Sequence, residues 1–179
     1  MTKLNDLAAA NRLVAMVGVF PAIADFAEKF SAKEGSTVVV GTLGAALQSG
    51  ETGEFYSPVF PRGLRLSTGE EVFEADLDAQ RVQVEEAVGV GDPDLIVSRH
   101  GATVVILKEC WPTAVVIDGN VTAADVRGRV VAGTLPPFLA AEVSAYYPAQ
   151  VAGYDAAREG DVDDRERIVV GEAIRVVVD

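Results

Sequence analysis

Short runs of β-branched residues, each closed by a glycine or polar residue and followed by a helix-like stretch, are what most constrains the fold of this chain. Leu95-Ile96-Val97 is the clearest. It shows no polar alternation, as expected of a strand buried on both faces of a parallel sheet. Thr37-Val38-Val39-Val40 reads as a fully buried parallel strand as well, and further strands are predicted at 114–117, 129–132 and 151–154. Between them the pattern predicts helices. One covers 102–110, where Val104, Val105 and Ile106 also fit a strand. A second, 122–127, is capped by Thr122, and a third, 136–146, carries prolines in its first turn. Strands that alternate with helices lead to an α/β fold with a mostly parallel sheet and right-handed crossovers. The 179 residues are read as a single domain, 1–179, with 94–155 as its motif-bearing half.

The amino-terminal part is less regular. Residues 4–14 space Leu4, Leu7, Ala8 and Leu13 as an amphipathic helix, and 21–33 repeat the pattern with Ile23, Phe26, Ala27 and Phe30 before Gly35. Gly41-Thr42-Leu43-Gly44 turns the chain into a helix start at 45–49. Residues 50–62 read as loop. The runs 63–66 and 71–74 around Ser67-Thr68-Gly69 read as a hairpin, so 50–76 is expected to be a loop and β-hairpin insertion. A charged helix is predicted at 77–88, and a final hairpin or pair of edge strands at 167–170 and 173–178.

Composition narrows the function classes. Hydrophobic residues make up 49 %, enough for a sizeable core, and the valine and alanine bias suits strands with helices packed on them. Net charge is -12 and the fifteen Lys and Arg are scattered, which argues against binding of duplex nucleic acid. The single cysteine, Cys110, excludes an internal disulfide, and with a single histidine neither a metal site nor a resident cofactor is expected. No run reaches the roughly 18 apolar residues of a membrane span. Asp6 and Asn11 interrupt the amino terminus as a secretory signal, so a cytoplasmic protein is expected.

Two strand ends are chemically loaded. Ser98-Arg99-His100-Gly101 combines a planar guanidinium suited to phosphate, an imidazole able to move a proton near neutral pH, and a glycine that permits close backbone approach. Gly133-Thr134-Leu135-Pro136 offers a hydroxyl beside the N–H groups of a helix start, a weak anion cradle. The second also belongs to a near-repeat: Val38-Val39-Val40-Gly41-Thr42-Leu43 and Val130-Val131-Ala132-Gly133-Thr134-Leu135 differ at one position in six. Either the match reflects common local architecture, or Gly41 and Thr42 form a duplicated ligand-binding turn. Lys108, Glu142, Tyr146 and Tyr147 are secondary candidates, more readily explained by packing or solvation. Arg99-His100-Gly101-Ala102-Thr103 also fits the local signature of histidine phosphatases, but that mechanism needs a second histidine, which this chain lacks.

Residues 95–143 resemble a small CRISPR-associated accessory family of type III systems. The resemblance rests on Val97-Ser98-Arg99-His100-Gly101-Ala102, on Leu107-Lys108-Glu109, and on the longer run from Gly133-Thr134-Leu135-Pro136 to Ala141-Glu142-Val143. It implies a Rossmann-like sheet with helices on both faces, similar to CARF sensor domains, in a homodimer. It also implies a metal-independent ring nuclease that binds and cleaves cyclic oligoadenylate messengers. In that reading His100 is the acid or base, Arg99 stabilises charge on the phosphorus, and Ser98, Gly101, Gly133, Thr134 and Leu135 hold the ligand. The alternatives are a non-catalytic cyclic-nucleotide binder and an unrelated α/β interaction protein.

Overall fold

The computed structural model describes residues 1–50, 53–61, 63–118, 120–152 and 165–179. These form two compact units, Met1–Gln83 with Val178–Asp179, and Val84–Val177. The protein is α/β, with a mixed and mostly parallel sheet. No helix among the described residues is long and apolar enough to cross a membrane.

The first unit runs β1 (Thr2–Lys3), α1 (Leu4–Ala10), β2 (Arg12–Ala15), α2 (Pro21–Phe30), β3 (Thr37–Val40), α3 (Leu43–Ser49), β4 (Glu54–Pro58), α4 (Gly69–Ala75) and β5 (Asp78–Glu86). Strands β2, β3 and β4 are parallel neighbours, and β5 pairs antiparallel with β4 and with β1. Leu4, Ile23, Phe26, Val40 and Val72 lie in its core. As predicted, β3 is parallel, but only Val40 in it is buried.

Four expectations for this unit are corrected. The helix at 4–14 ends at Ala10, where the Asn11 side-chain amide donates to the Leu7 carbonyl that closes the last helical turn. That bond competes with further helix, and 12–15 pair with β3 instead. The loop at 50–62 contains β4, its residues 51–52 and 62 lying outside the described residues. The hairpin at 63–74 is replaced by α4. Thr68 and Glu71 close a capping box, so Ser-Thr-Gly is a helix start and not a strand turn. The charged helix at 77–88 is β5, where Ala79, Val82 and Val84 are buried while Arg81, Gln83 and Glu85 face water.

Helices α2 and α4 are joined by charge. Lys29 lies 2.9 Å from Asp25 and 3.0 Å from Glu70, and Asp25 also accepts the Gly69 N–H at 2.7 Å. The Lys29 ammonium first, and the Gly69 N–H second, hold the Asp25 carboxyl below its ordinary value. A carboxyl depressed in the folded state contributes stability above its unfolded value of 3.8 and loses it as pH falls through the depressed one. Asp25→Asn is therefore expected to be less stable than wild type at pH 7 and to converge on it as pH falls through the depressed carboxyl value. Urea midpoints measured from pH 7 to pH 2 check this, and a gap that persists undiminished at pH 2 refutes it.

The second unit contains β6 (Leu95–Val97), α5 (Gly101–Cys110), β7 (Val115–Ile117), α6 (Ala123–Val126), β8 (Val130–Gly133), α7 (Pro137–Ala140), β9 (Ala145–Val151), β10 (Ile168–Val170) and β11 (Ile174–Val178). Its strand order is β7-β6-β8-β9-β11, with β10 also on β9. The first four are parallel, while β10 and β11 run antiparallel to β9. Strand β6 is buried throughout, as its unbroken apolar run predicts. The ambiguous stretch at 102–110 is helix α5.

Two expectations for this unit change. The helix at 136–146 stops at Ala140. Gly128 N–H donates to Glu142 O and Ser144 N–H to Arg129 O, drawing the chain into register with β8, so the strand begins at Ala145 rather than at 151. Of the strand expected at 151–154, residues 153–154 lie outside the described residues. Of the two readings of the tail, separate strands hold and the hairpin does not. Val170 faces Ala149 and Ile174 faces Tyr146, so β10 and β11 both lie along β9, separated by a one-residue bulge.

Candidate functional site

In the second unit the chain leaves β6 for β7 on one side, returns through α6 to β8 on the other, and continues outward to β9. The carboxyl ends of β6 and β8 therefore flank the point where the winding reverses, the place in an open α/β sheet where a crevice forms. Both loaded strand ends read from the sequence meet here, since Val97 is paired with Gly133.

At the end of β6, Ser98 is buried, and its hydroxyl accepts the His100 N–H at 3.2 Å. That local bond turns the chain outward, and Arg99 and His100 are both exposed. Helix α5 starts at Gly101 with no side-chain cap from His100, and its first internal bond runs from Val104 N–H to His100 O. The N–H groups of Gly101, Ala102 and Thr103 thus stand before the intrahelical ladder. Arg99 has no ion-pair partner among the described residues.

At the end of β8, Gly133 has φ 138, and a Cβ there would overlap the Val97 carbonyl. Thr134 N–H donates to that carbonyl at 2.9 Å, tying the two strand ends together. Tyr146, 2 % exposed on β9, accepts the Leu135 N–H at 2.9 Å and donates its hydroxyl to Gly133 O at 2.8 Å. Burial pushes its phenol well above the ordinary value, with the Leu135 N–H offsetting part of the rise, so the hydroxyl keeps its proton. The anion cradle expected at 133–136 is corrected here. Its N–H groups at Thr134 and Leu135 are consumed, and Pro136 and Pro137 have none. What this turn exposes is the Thr134 hydroxyl, held only loosely at 3.5 Å from Ala149 O.

The secondary candidates have structural partners. The Lys108 ammonium donates to Pro112 O at 2.6 Å and to Ala114 O at 2.9 Å, closing the turn after α5. Glu142 pairs with Arg127 at 2.8 Å, and Asp94 with Arg129 at 3.3 Å, at the amino ends of the strands. The Tyr147 ring lies 5.0 Å from that of Trp111, and its hydroxyl donates to Gly91 O. Charge at the amino ends is thus matched internally, whereas Arg99 at the carboxyl end has no ion-pair partner among the described residues.

Gly41 and Thr42 belong to the first unit, and the residues just described to the second. The near-repeat has different local structure in its two copies. Thr42 caps α3 through Ala45 N–H at 3.1 Å, and Gly41 faces the Met16 side chain, without the positive φ of Gly133. Sequence reasoning also missed how Tyr146 is used. An aromatic after a helix-like run carries no sign that its hydroxyl braces a turn eleven residues back. Among the described residues no group of three or more His, Cys, Asp or Glu side chains is placed to hold a metal ion. No protein-family model, no curated protein and no solved structure matches the chain.

Proposed function

We propose that the crevice between β6 and β8 binds cyclic oligoadenylate and cleaves its phosphodiester without a metal. One observation supports the reading: Arg99 and His100 stand exposed at the carboxyl end of β6, beside Thr134 at the end of the paired strand β8. A cation without an ion-pair partner among the described residues and an imidazole at a winding reversal suit a phosphate more than any neutral group. The resemblance of residues 95–143 to the type III CRISPR accessory family supplies the particular phosphodiester. With it come a CARF-like, Rossmann-type arrangement with helices on both faces, a homodimer around the ring, a cytoplasmic site of action, and a role in switching off an antiviral response.

The chemistry needs little machinery. The ribose 2′-oxygen attacks phosphorus as its proton leaves, the bond from phosphorus to the 5′-oxygen breaks, and the 5′-oxygen takes a proton. The products are a linear strand with a 2′,3′-cyclic phosphate and a 5′-hydroxyl. His100 moves one of these protons, and Arg99 stabilises the charge that grows on the phosphoryl oxygens.

The test is incubation of the protein with labelled cyclic tetra- and hexa-adenylate, with chromatography of the products. Linear products are expected from wild type. His100→Ala is expected to bind within a few-fold of wild type and to cleave roughly 100-fold more slowly or worse. Arg99→Ala is expected to weaken binding about ten-fold or more. Cleavage by His100→Ala at the wild-type rate removes the assignment. A ring bound and left intact by wild type marks a sequestering module, and no binding at all leaves an unrelated interaction protein.

A further inference from the structure

Resting on the reading of this crevice as a ligand site, we propose that Tyr146 is a positioning residue. Its hydroxyl holds the turn at 133–135 so that β8 presents the Thr134 hydroxyl, and no backbone N–H, to the ligand. The consequence is a division of labour: β8 takes a neutral, hydroxyl-bearing part of the ligand such as a ribose, and the phosphate is left to Arg99.

The geometry is over-determined. Tyr146 lies on β9 opposite Val131 of β8, buried, and its hydroxyl uses both of its capacities on the turn. It accepts from Leu135 N–H and donates to Gly133 O, so the peptide groups on either side of Thr134 are held. Thr134 N–H is committed to Val97 O. Leu135 is followed by two prolines. From 134 to 137 no N–H is therefore left to point at a ligand, and what remains is the exposed Thr134, whose hydroxyl donates only weakly, at 3.5 Å, to Ala149 O. A hydroxyl both donates and accepts, which matches another hydroxyl, whereas a phosphate diester only accepts. The phenol stays protonated because it is buried, so the brace does not depend on pH in the neutral range.

Tyr146→Phe removes the hydroxyl and keeps the ring. Two measurements on wild type, Tyr146→Phe, Thr134→Val and the double variant test the proposal: amide hydrogen exchange, and the Kd for cyclic tetra-adenylate. In Tyr146→Phe the Leu135 amide is expected to exchange roughly ten-fold faster or more, with Ile96 and Val131 in the adjoining strands unchanged. Each single variant is expected to bind roughly ten-fold more weakly. Because Tyr146 acts through Thr134, the double variant should bind no more weakly than the weaker single one. Additive losses, about 100-fold in the double variant, overturn the proposal, as does unchanged protection at Leu135. Thr134→Val alters an exposed side chain and remains informative if Tyr146→Phe does not fold; unchanged binding by it also overturns the proposal. Wild type that does not bind the ring ends the ligand reading itself. That outcome differs visibly from binding that ignores Tyr146.

Discussion

Replacing Gly133 with alanine is expected to leave the second unit unfolded, or to destabilise it by more than about 4 kcal/mol, the range reached only by exceptional substitutions. Two independent effects add. The residue has φ 138, a backbone region that side chains rarely adopt. A Cβ there would also overlap the carbonyl of Val97, its partner in the β6–β8 ladder. That carbonyl cannot swing aside, because it accepts the Thr134 N–H. Relief would require β6 and β8 to part, and both are buried, Ile96 and Val131 each at 0 % exposure. The chain's one tryptophan, Trp111, packs on Tyr147 within this unit, so its fluorescence in urea reports the loss directly. Gly101→Ala is the matched control. Nothing lies within 4 Å of a Cβ at that position, and its φ is not positive, so it should stay within about 0.5 kcal/mol of wild type. The two glycines follow adjacent strand ends, and the same added methyl should be severe at Gly133 and near neutral at Gly101. A Gly133→Ala protein as stable as Gly101→Ala would show that the strand ends do not meet as described.

Gly69→Ala is expected to cost the first unit about 3 kcal/mol. Gly69 opens α4 against the backbone of α2, where a Cβ would lie 2.6 Å from Phe26 N and 2.8 Å from Phe26 Cα. A flexible side chain could yield, but a helix backbone cannot, so α4 must lift off α2. Lifting it strains the Asp25 bond to the Gly69 N–H at 2.7 Å and the Phe30–Phe73 ring stack at 4.6 Å. It also exposes Val72, which is fully buried. The Lys29–Glu70 pair is exposed and contributes little of this. The first unit has no tryptophan, so its loss is read as the circular-dichroism change in urea that is not accompanied by a change in Trp111 fluorescence. An unfolding midpoint within error of wild type would mean that α4 is not seated on α2 through Gly69.

The site was more legible in the sequence than the fold around it. Ser98, Arg99 and His100 follow an unbroken apolar strand, and a local turn suffices to turn them outward. Their neighbour in space, Thr134, was reached because the second apolar run, 130–133, ends in the same way. That both ends serve one crevice depends on strand order, which no local pattern contains. The misread elements share a cause. Ser67-Thr68-Gly69 suits a hairpin turn and a helix cap equally, and the Asp25 carboxylate that caps Gly69 comes from 44 residues away. At 136–146 the local sequence favours helix, but pairing with β8 supplies backbone bonds that a longer helix would have to forgo.

By itself the sequence determined the α/β class, the strands β6 and β8, the helix α2, and the chemical character of the residues that follow β6. Each of these follows from hydrophobic period, strand length and side-chain chemistry, which act over a few residues. Only the tertiary structure decided that the chain packs as two compact units, that β5 and β9 are strands, and that the anion cradle at β8 is closed. The reason for the last is specific. Whether a backbone N–H is available depends on what sits opposite it, and here the partners are the Val97 carbonyl and the buried hydroxyl of Tyr146, each supplied by a neighbouring strand.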